Sequence, residues 1–164
     1  MRAVSWSQTE ENDVTGFFKD LAVYLSKAPY ATTTFFAEVI KALDEELNDS
    51  KDINDEARAT IKYFLGKVVR ALSVFFNLYD KPVLKDYIIN PGNLIMVTQA
   101  LGNTLRAYRL LVTEDLSDDG PVVEDIASSL DNASALLESA VTTALVELSE
   151  KLASSNCLQQ SQSS

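Results

Sequence analysis

Residues 61–79, IKYFLGKVVRALSVFFNLY, form a long apolar stretch that decides the fold. Drawn as a helix at about 100° per residue, its apolar side chains share one arc, with Lys62 and Arg70 on the opposite side. The centre of the arc is Ile61, Phe64, Leu65, Val68, Leu72, Phe75 and Tyr79. A charge at the centre of a bilayer costs about 3 kcal/mol, which disfavours a membrane span. The pattern therefore predicts a buried helix over about 55–79, central to a bundle.

The overall composition also favours helices. The chain has 164 residues, of which 46% are hydrophobic and 23% charged, and this is typical of one soluble globular domain. It contains only 5 glycines and 4 prolines, fewer turn residues than a sheet protein of this length usually needs. Residues 1–13 lack the apolar segment of a signal peptide, so none is predicted in the sequence given.

Four further helices are predicted around the apolar stretch. Apolar residues recur at spacings of three and four in each, and Asn90-Pro91 is a typical helix start, with Asn as the N-cap and Pro at the first helical position. Their approximate ranges are 9–26, 33–47, 90–112 and 121–153. The predicted fold class is an all-α antiparallel bundle of five helices, four long plus one. It forms one domain over 1–153, followed by a disordered Ser/Gln-rich tail at 154–164.

Missing residue types exclude many kinds of active site. The chain has no histidine and a single cysteine, Cys157. This excludes a Ser–His–Asp triad, His-ligated zinc and an intrachain disulfide. Acidic clusters occur at 44–46 and 118–119, but at a helix end and in a loop, where carboxylates are normally solvated. We therefore expect no enzymatic activity, cofactor or metal; an enzyme that uses carboxylates alone is the third hypothesis.

Charge is distributed unevenly along the chain. Net charge is −10, which argues against nucleic acid as a partner. Residues 57–112 carry eight bases and two acids (8 − 2 = +6), so the remainder carries −16 (−10 − 6). Three interpretations stay open: pairing between helices, a bipolar surface for a charged partner or self-assembly, or an anion site. The anion site would use Lys67, Arg70, Arg106 and Arg109.

The helix predicted at 121–153 has a narrow apolar seam, similar to the stripe of a coiled coil. Narrow seams often complete their burial against another chain, so we predict protein–protein interaction or assembly, with a second copy or another protein as the partner. The candidate interaction surface combines seam residues with the arginines of the basic region. It consists of Leu130, Leu137, Val141, Leu148, Arg70, Arg106 and Arg109.

An alternative hypothesis is a carrier of an apolar small molecule, such as a lipid or pigment, in the bundle core. Phenylalanines occur in doublets, and adjacent residues on a helix point about 100° apart, so one of each pair lies near the edge of a face. Ordinary core packing explains the same residues. The candidate pocket residues are Phe18, Phe36, Phe64, Phe75 and Phe76.

Overall fold

The computed structural model describes residues 29–82, 84–85, 90–117 and 120–162. This part of the chain contains no β-strand, and four long helices pack against one another in it. The helices are α1 (Pro29–Asp49), α2 (Asp55–Tyr79), α3 (Pro91–Thr113) and α4 (Gly120–Gln162). The all-helical prediction is confirmed.

Local capping groups define the starts of α2 and α3. The Asn54 side chain accepts a hydrogen bond from the Ala57 N–H at 2.7 Å, and Asn90 accepts one from the Asn93 N–H at 2.9 Å. Such caps satisfy backbone donors that have no partner within the helix. Pro91 occupies the first turn of α3, where its missing N–H costs nothing. The predicted start at Asn90-Pro91 is confirmed.

The structure differs from the predicted set of helices in three respects. The predicted helix at 9–26 lies outside the described residues, so the count of five is not supported. Pro29 begins α1, several residues before the predicted start, because proline suits a first helical turn. The predicted end of the last helix near 153 is too early. No Gly or Pro interrupts α4 after its first turn, and residues 154–162, expected to be disordered, are helical.

α4 is the most extensively packed helix. It lies against α3 and α2 over large contacts, whereas α1 makes smaller contacts with the same two helices. Among the described helices, α4 therefore makes larger contacts than the helix of residues 55–79, which was predicted to be central. The reason is the size of the side chains on α4: Ala133, Ala140 and Ala144 are buried and let neighbouring backbones approach closely.

One hydrogen bond fixes the relative direction of α3 and α4. Asn90, at the start of α3, donates from Nδ2 to the Glu147 carboxylate at 3.3 Å, late in α4. A short connection joins the end of α3 to the start of α4, so the two helices are antiparallel. At about 1.5 Å per residue, the 23 residues of α3 span about 35 Å and the 43 residues of α4 about 65 Å. α4 therefore continues well past the start of α3.

Arg58 holds α1 and α2 together at the opposite end of the bundle. Its guanidinium donates to the carbonyl oxygens of Leu47 at 3.0 Å and Asn48 at 3.2 Å, in the last turn of α1. It also donates to the carbonyl of Ser50 at 2.9 Å, in the connecting loop. Carbonyls at a helix C-terminus lack partners within the helix and carry partial negative charge, so a cation suits them.

Candidate interaction surfaces

The buried seam of α4 ends at Ala144. Seam residues occur at alternating spacings of four and three, and each is at most 2% exposed. They are Ile126, Leu130, Ala133, Leu137, Ala140 and Ala144. Continuing the same spacing leads to Glu147 and Lys151, which are both charged and exposed. We call residues 145–162 the α4 extension, since they directly follow Ala144, the last buried residue of the seam.

A second apolar stripe begins where the seam ends. Val141, Leu145, Leu148 and Leu152 follow one another at spacings of four, three and four, which places them on one face of α4. Leu145 is 43% exposed and Leu152 56% exposed, while Val141 and Leu148 are half-buried. We call these four residues the distal stripe. Leu145 and Leu152 are large apolar side chains that the described part of the bundle leaves exposed, whereas Val141 also packs against the core.

The predicted interaction surface is divided by the structure. Leu130 and Leu137 are fully buried between α4 and its neighbours, so they cannot contact a partner without unfolding, and their place in the predicted surface is corrected. Val141 and Leu148 belong to the distal stripe. Leu145 was missed in the sequence, although the charged residues at the next seam positions are a signal that the buried face changes there.

The three arginines of the predicted surface lie on two helices. Arg70 is exposed on α2, whereas Arg106 is exposed and Arg109 half-buried on α3. α2 and α3 make no extensive contact with each other, because each packs against α1 and α4 instead. The structure therefore does not gather these arginines with Lys67 into one anion site.

Lys67 pairs across the interface between α2 and α4. Its ammonium donates to the Asp131 carboxylate at 3.1 Å, and it lies 5.5 Å from the centre of the Phe64 ring and 5.7 Å from that of Tyr63. The hydrogen bond to Asp131, assisted by the attraction between the charges, raises the pKa of Lys67 above the usual value for lysine. This basic side chain is thus used in pairing between helices, one of the three interpretations of the charge pattern.

An open groove runs between α1 and α2. Its volume is about 530 Å³, and we call it the α1–α2 groove. Ile40 and Leu65 are buried at its base, and Val69 contributes an exposed apolar side. Its lining is completed by small or charged residues, namely Ala37, Lys41, Asp44, Lys62, Gly66 and Arg70. The groove therefore combines an apolar base with a rim of net charge +2 (three bases, one acid).

The candidate pocket phenylalanines do not line this groove. Phe36 and Phe75 are buried in the common core. Phe64 packs against that core at its edge and contacts the Tyr63 ring edge-on, at 5.2 Å between centroids. Phe76 is half-buried. Phe18 lies outside the described residues. The described phenylalanines thus act chiefly in packing.

No described helix is long and apolar enough to cross a membrane. Within the same residues, no cluster of three or more Asp, Glu, Cys or His side chains could hold a metal ion. No protein family, curated protein or solved structure shows significant similarity to the chain. The geometry of the two surfaces is therefore the basis for assigning a function.

Proposed function

We propose that this chain is a non-enzymatic assembly protein that associates with a second copy of itself through the distal stripe. The observation that carries the proposal is the difference in length between α4 and its neighbours. α4 has 43 residues and α3 has 23, so the α4 extension leaves the bundle with Leu145 and Leu152 exposed. Exposed apolar side chains in a continuous stripe favour contact with another surface.

The spacing of the stripe supports a helical partner of the same kind. Apolar residues at spacings of four and three form the seam along which two helices pair. A second copy presents the same stripe, and a symmetric interface places two identical surfaces against each other. The sequence thus supplies an apolar surface that can pair with itself.

The short stripe predicts a weak dimer. Four side chains on about three turns bury far less than the roughly 800 Å² per partner of a typical stable interface. We therefore expect a dissociation constant in the range of about 10 μM to 1 mM. Each copy carries −10 charge, so salt should strengthen the dimer by screening the repulsion between copies.

Sedimentation velocity over a concentration series, at low and high salt, tests the proposal. Wild-type protein should show a dimer fraction that rises with concentration and with salt. The double variant Leu145→Glu/Leu152→Glu should stay monomeric, because it places four like charges in the symmetric contact. Ile95→Glu is the matched control, since Ile95 on α3 is 54% exposed and lies outside the stripe.

Two results would contradict this function. A wild-type protein that is monomeric up to about 1 mM at both salt concentrations would exclude association with a second copy. If the double variant associated as strongly as the Ile95→Glu control, the distal stripe would not be the interface.

A further inference from the structure

We propose that the α1–α2 groove is the docking site of the chain's own N-terminal segment, residues 9–26, bound as an amphipathic helix. The segment lies outside the described residues, but only Lys27 and Ala28 separate it in sequence from the first residue of α1. Its sequence places Val14, Phe17, Phe18, Leu21 and Leu25 on one face. This assigns an occupant to the groove and is independent of the distal stripe.

The connection to α1 places the segment beside the groove. Proline disfavours helical backbone at the residue before it, so Ala28-Pro29 separates the predicted helix from α1. Two helices joined by so short a turn usually pack as an antiparallel pair. The segment has 18 residues (9 to 26) and α1 has 21, so the two helices match in length.

Counting outward from the turn matches large side chains with small ones. Phe18 lies eight residues before Ser26, and Ala37 lies eight residues after Pro29, so the two are level in an antiparallel pair. Ala37 lines the groove on the α1 side and Gly66 on the α2 side. Gly66 carries no side chain, and the nearest atom to the position that its Cβ would take is Arg70 Nη1, at 3.5 Å. The small residues of the groove are thus level with Phe17 and Phe18 in such a pair.

Charges on the segment match the rim of the groove. Residues 9–26 carry four acids and one base (1 − 4 = −3), and the groove rim carries +2. Asp13 and Asp20 are seven residues apart and lie on the same flank of the apolar face. Lys62 and Arg70 are eight residues apart along α2. A helix antiparallel to α1 runs in the direction of α2, since α2 follows α1 through a short loop, so Asp13 would face Lys62 and Asp20 would face Arg70.

Hydrogen–deuterium exchange of the full-length protein, followed by mass spectrometry, tests the docking. Amides of residues 14–25 should exchange at least about tenfold more slowly than in an unstructured peptide. Arg70→Glu should accelerate their exchange, Asp20→Arg should do the same, and the double variant should restore protection. Arg106→Glu is the matched control, because Arg106 is an exposed arginine on α3 outside the groove.

A second pair of variants tests the apolar base. Val69 and Val74 both lie on α2 and are 42% and 47% exposed, but only Val69 lines the groove. Val69→Glu should accelerate exchange in residues 14–25 and Val74→Glu should not. Circular dichroism would show that both variants keep the bundle.

Three results would overturn the docking proposal. The first is exchange in residues 14–25 at the rate of an unstructured peptide. The second is protection that Arg70→Glu and Val69→Glu leave as intact as their controls do. The third is protection that disappears on dilution, which would assign the groove to a second copy. None of these results bears on the distal stripe, so the two proposals can fail separately.

Discussion

The two parts of α4 differ in burial although they belong to one continuous helix. From Ile126 to Ala144, every seam residue is at most 2% exposed, and the side chains are isoleucine, leucine or alanine. From Leu145 onward, the described side chains are exposed apart from the half-buried Leu148. The apolar spacing of four and three continues across the boundary, but it shifts to the neighbouring face.

This comparison shows that the length of the neighbouring helices determines where burial ends. α3 begins near Glu147, as the hydrogen bond from Asn90 shows, and beyond that point α3 has no residue to place against α4. An apolar side chain contributes to folding only when another surface removes it from water. The same residue type, leucine, should therefore contribute very differently at two positions of one helix.

Truncating one leucine in each part of α4 should give the largest contrast. Leu137→Ala removes a fully buried side chain and should lower the free energy of unfolding by about 2–5 kcal/mol. Leu152→Ala, at a position 56% exposed, should change it by less than about 0.5 kcal/mol. Urea unfolding followed by circular dichroism at low protein concentration measures both. Equal losses of unfolding free energy in the two variants would show that the α4 extension is packed within the monomer. This would contradict the difference in burial between the two parts of α4.

Features that depend only on residues close together in the chain could be predicted from the sequence. Asn90-Pro91 identified the start of α3, and the wheel of residues 61–79 identified most of the buried face of α2, because capping and periodicity act within a few residues. The extensive packing of α4 was not predicted. How extensively a helix packs depends on how closely the neighbouring backbones approach it. The buried alanines of α4 allow a close approach, but this is visible only when α2 and α3 are seen beside them.

The candidate surfaces were only partly predictable for the same reason. The narrow seam was recognised as a contact surface, but Leu130 and Leu137 contact the chain's own helices. Whether a seam faces its own bundle or a partner depends on helix lengths and on the order of packing, which a wheel does not contain. The role of Arg58 was equally hidden, because its partners are backbone carbonyls, which carry no sequence signal.

Replacing Arg58 should weaken the bundle and leave the α4 extension unchanged. Arg58→Ala removes the charged donor at the end of α1 and should lower the free energy of unfolding by about 2 kcal/mol. Arg58→Lys is the control that keeps the charge but loses the forked geometry, so a smaller loss is expected. Both variants should sediment with the wild-type dimer fraction. If Arg58→Ala left the free energy of unfolding unchanged, water would satisfy the α1 carbonyls as well as the Arg58 guanidinium does, and Arg58 would not stabilise the bundle.

The smallest expected effect concerns Lys67, which links α2 to the bundle part of α4. Because Asp131 raises the pKa of Lys67 in the folded protein, the pair stabilises the fold fully below the unfolded pKa of lysine, about 10.4. That contribution is lost as pH rises through the higher folded pKa. The difference in urea midpoint between wild type and Lys67→Gln should therefore be constant from about pH 8 to 9.5 and shrink above about pH 10.5. Lys81→Gln, at an exposed position after α2, is the control. The difference in urea midpoint between this variant and wild type should decrease less as the pH rises. A difference that grew with rising pH would have the opposite sign and would exclude the Asp131 pair as its cause.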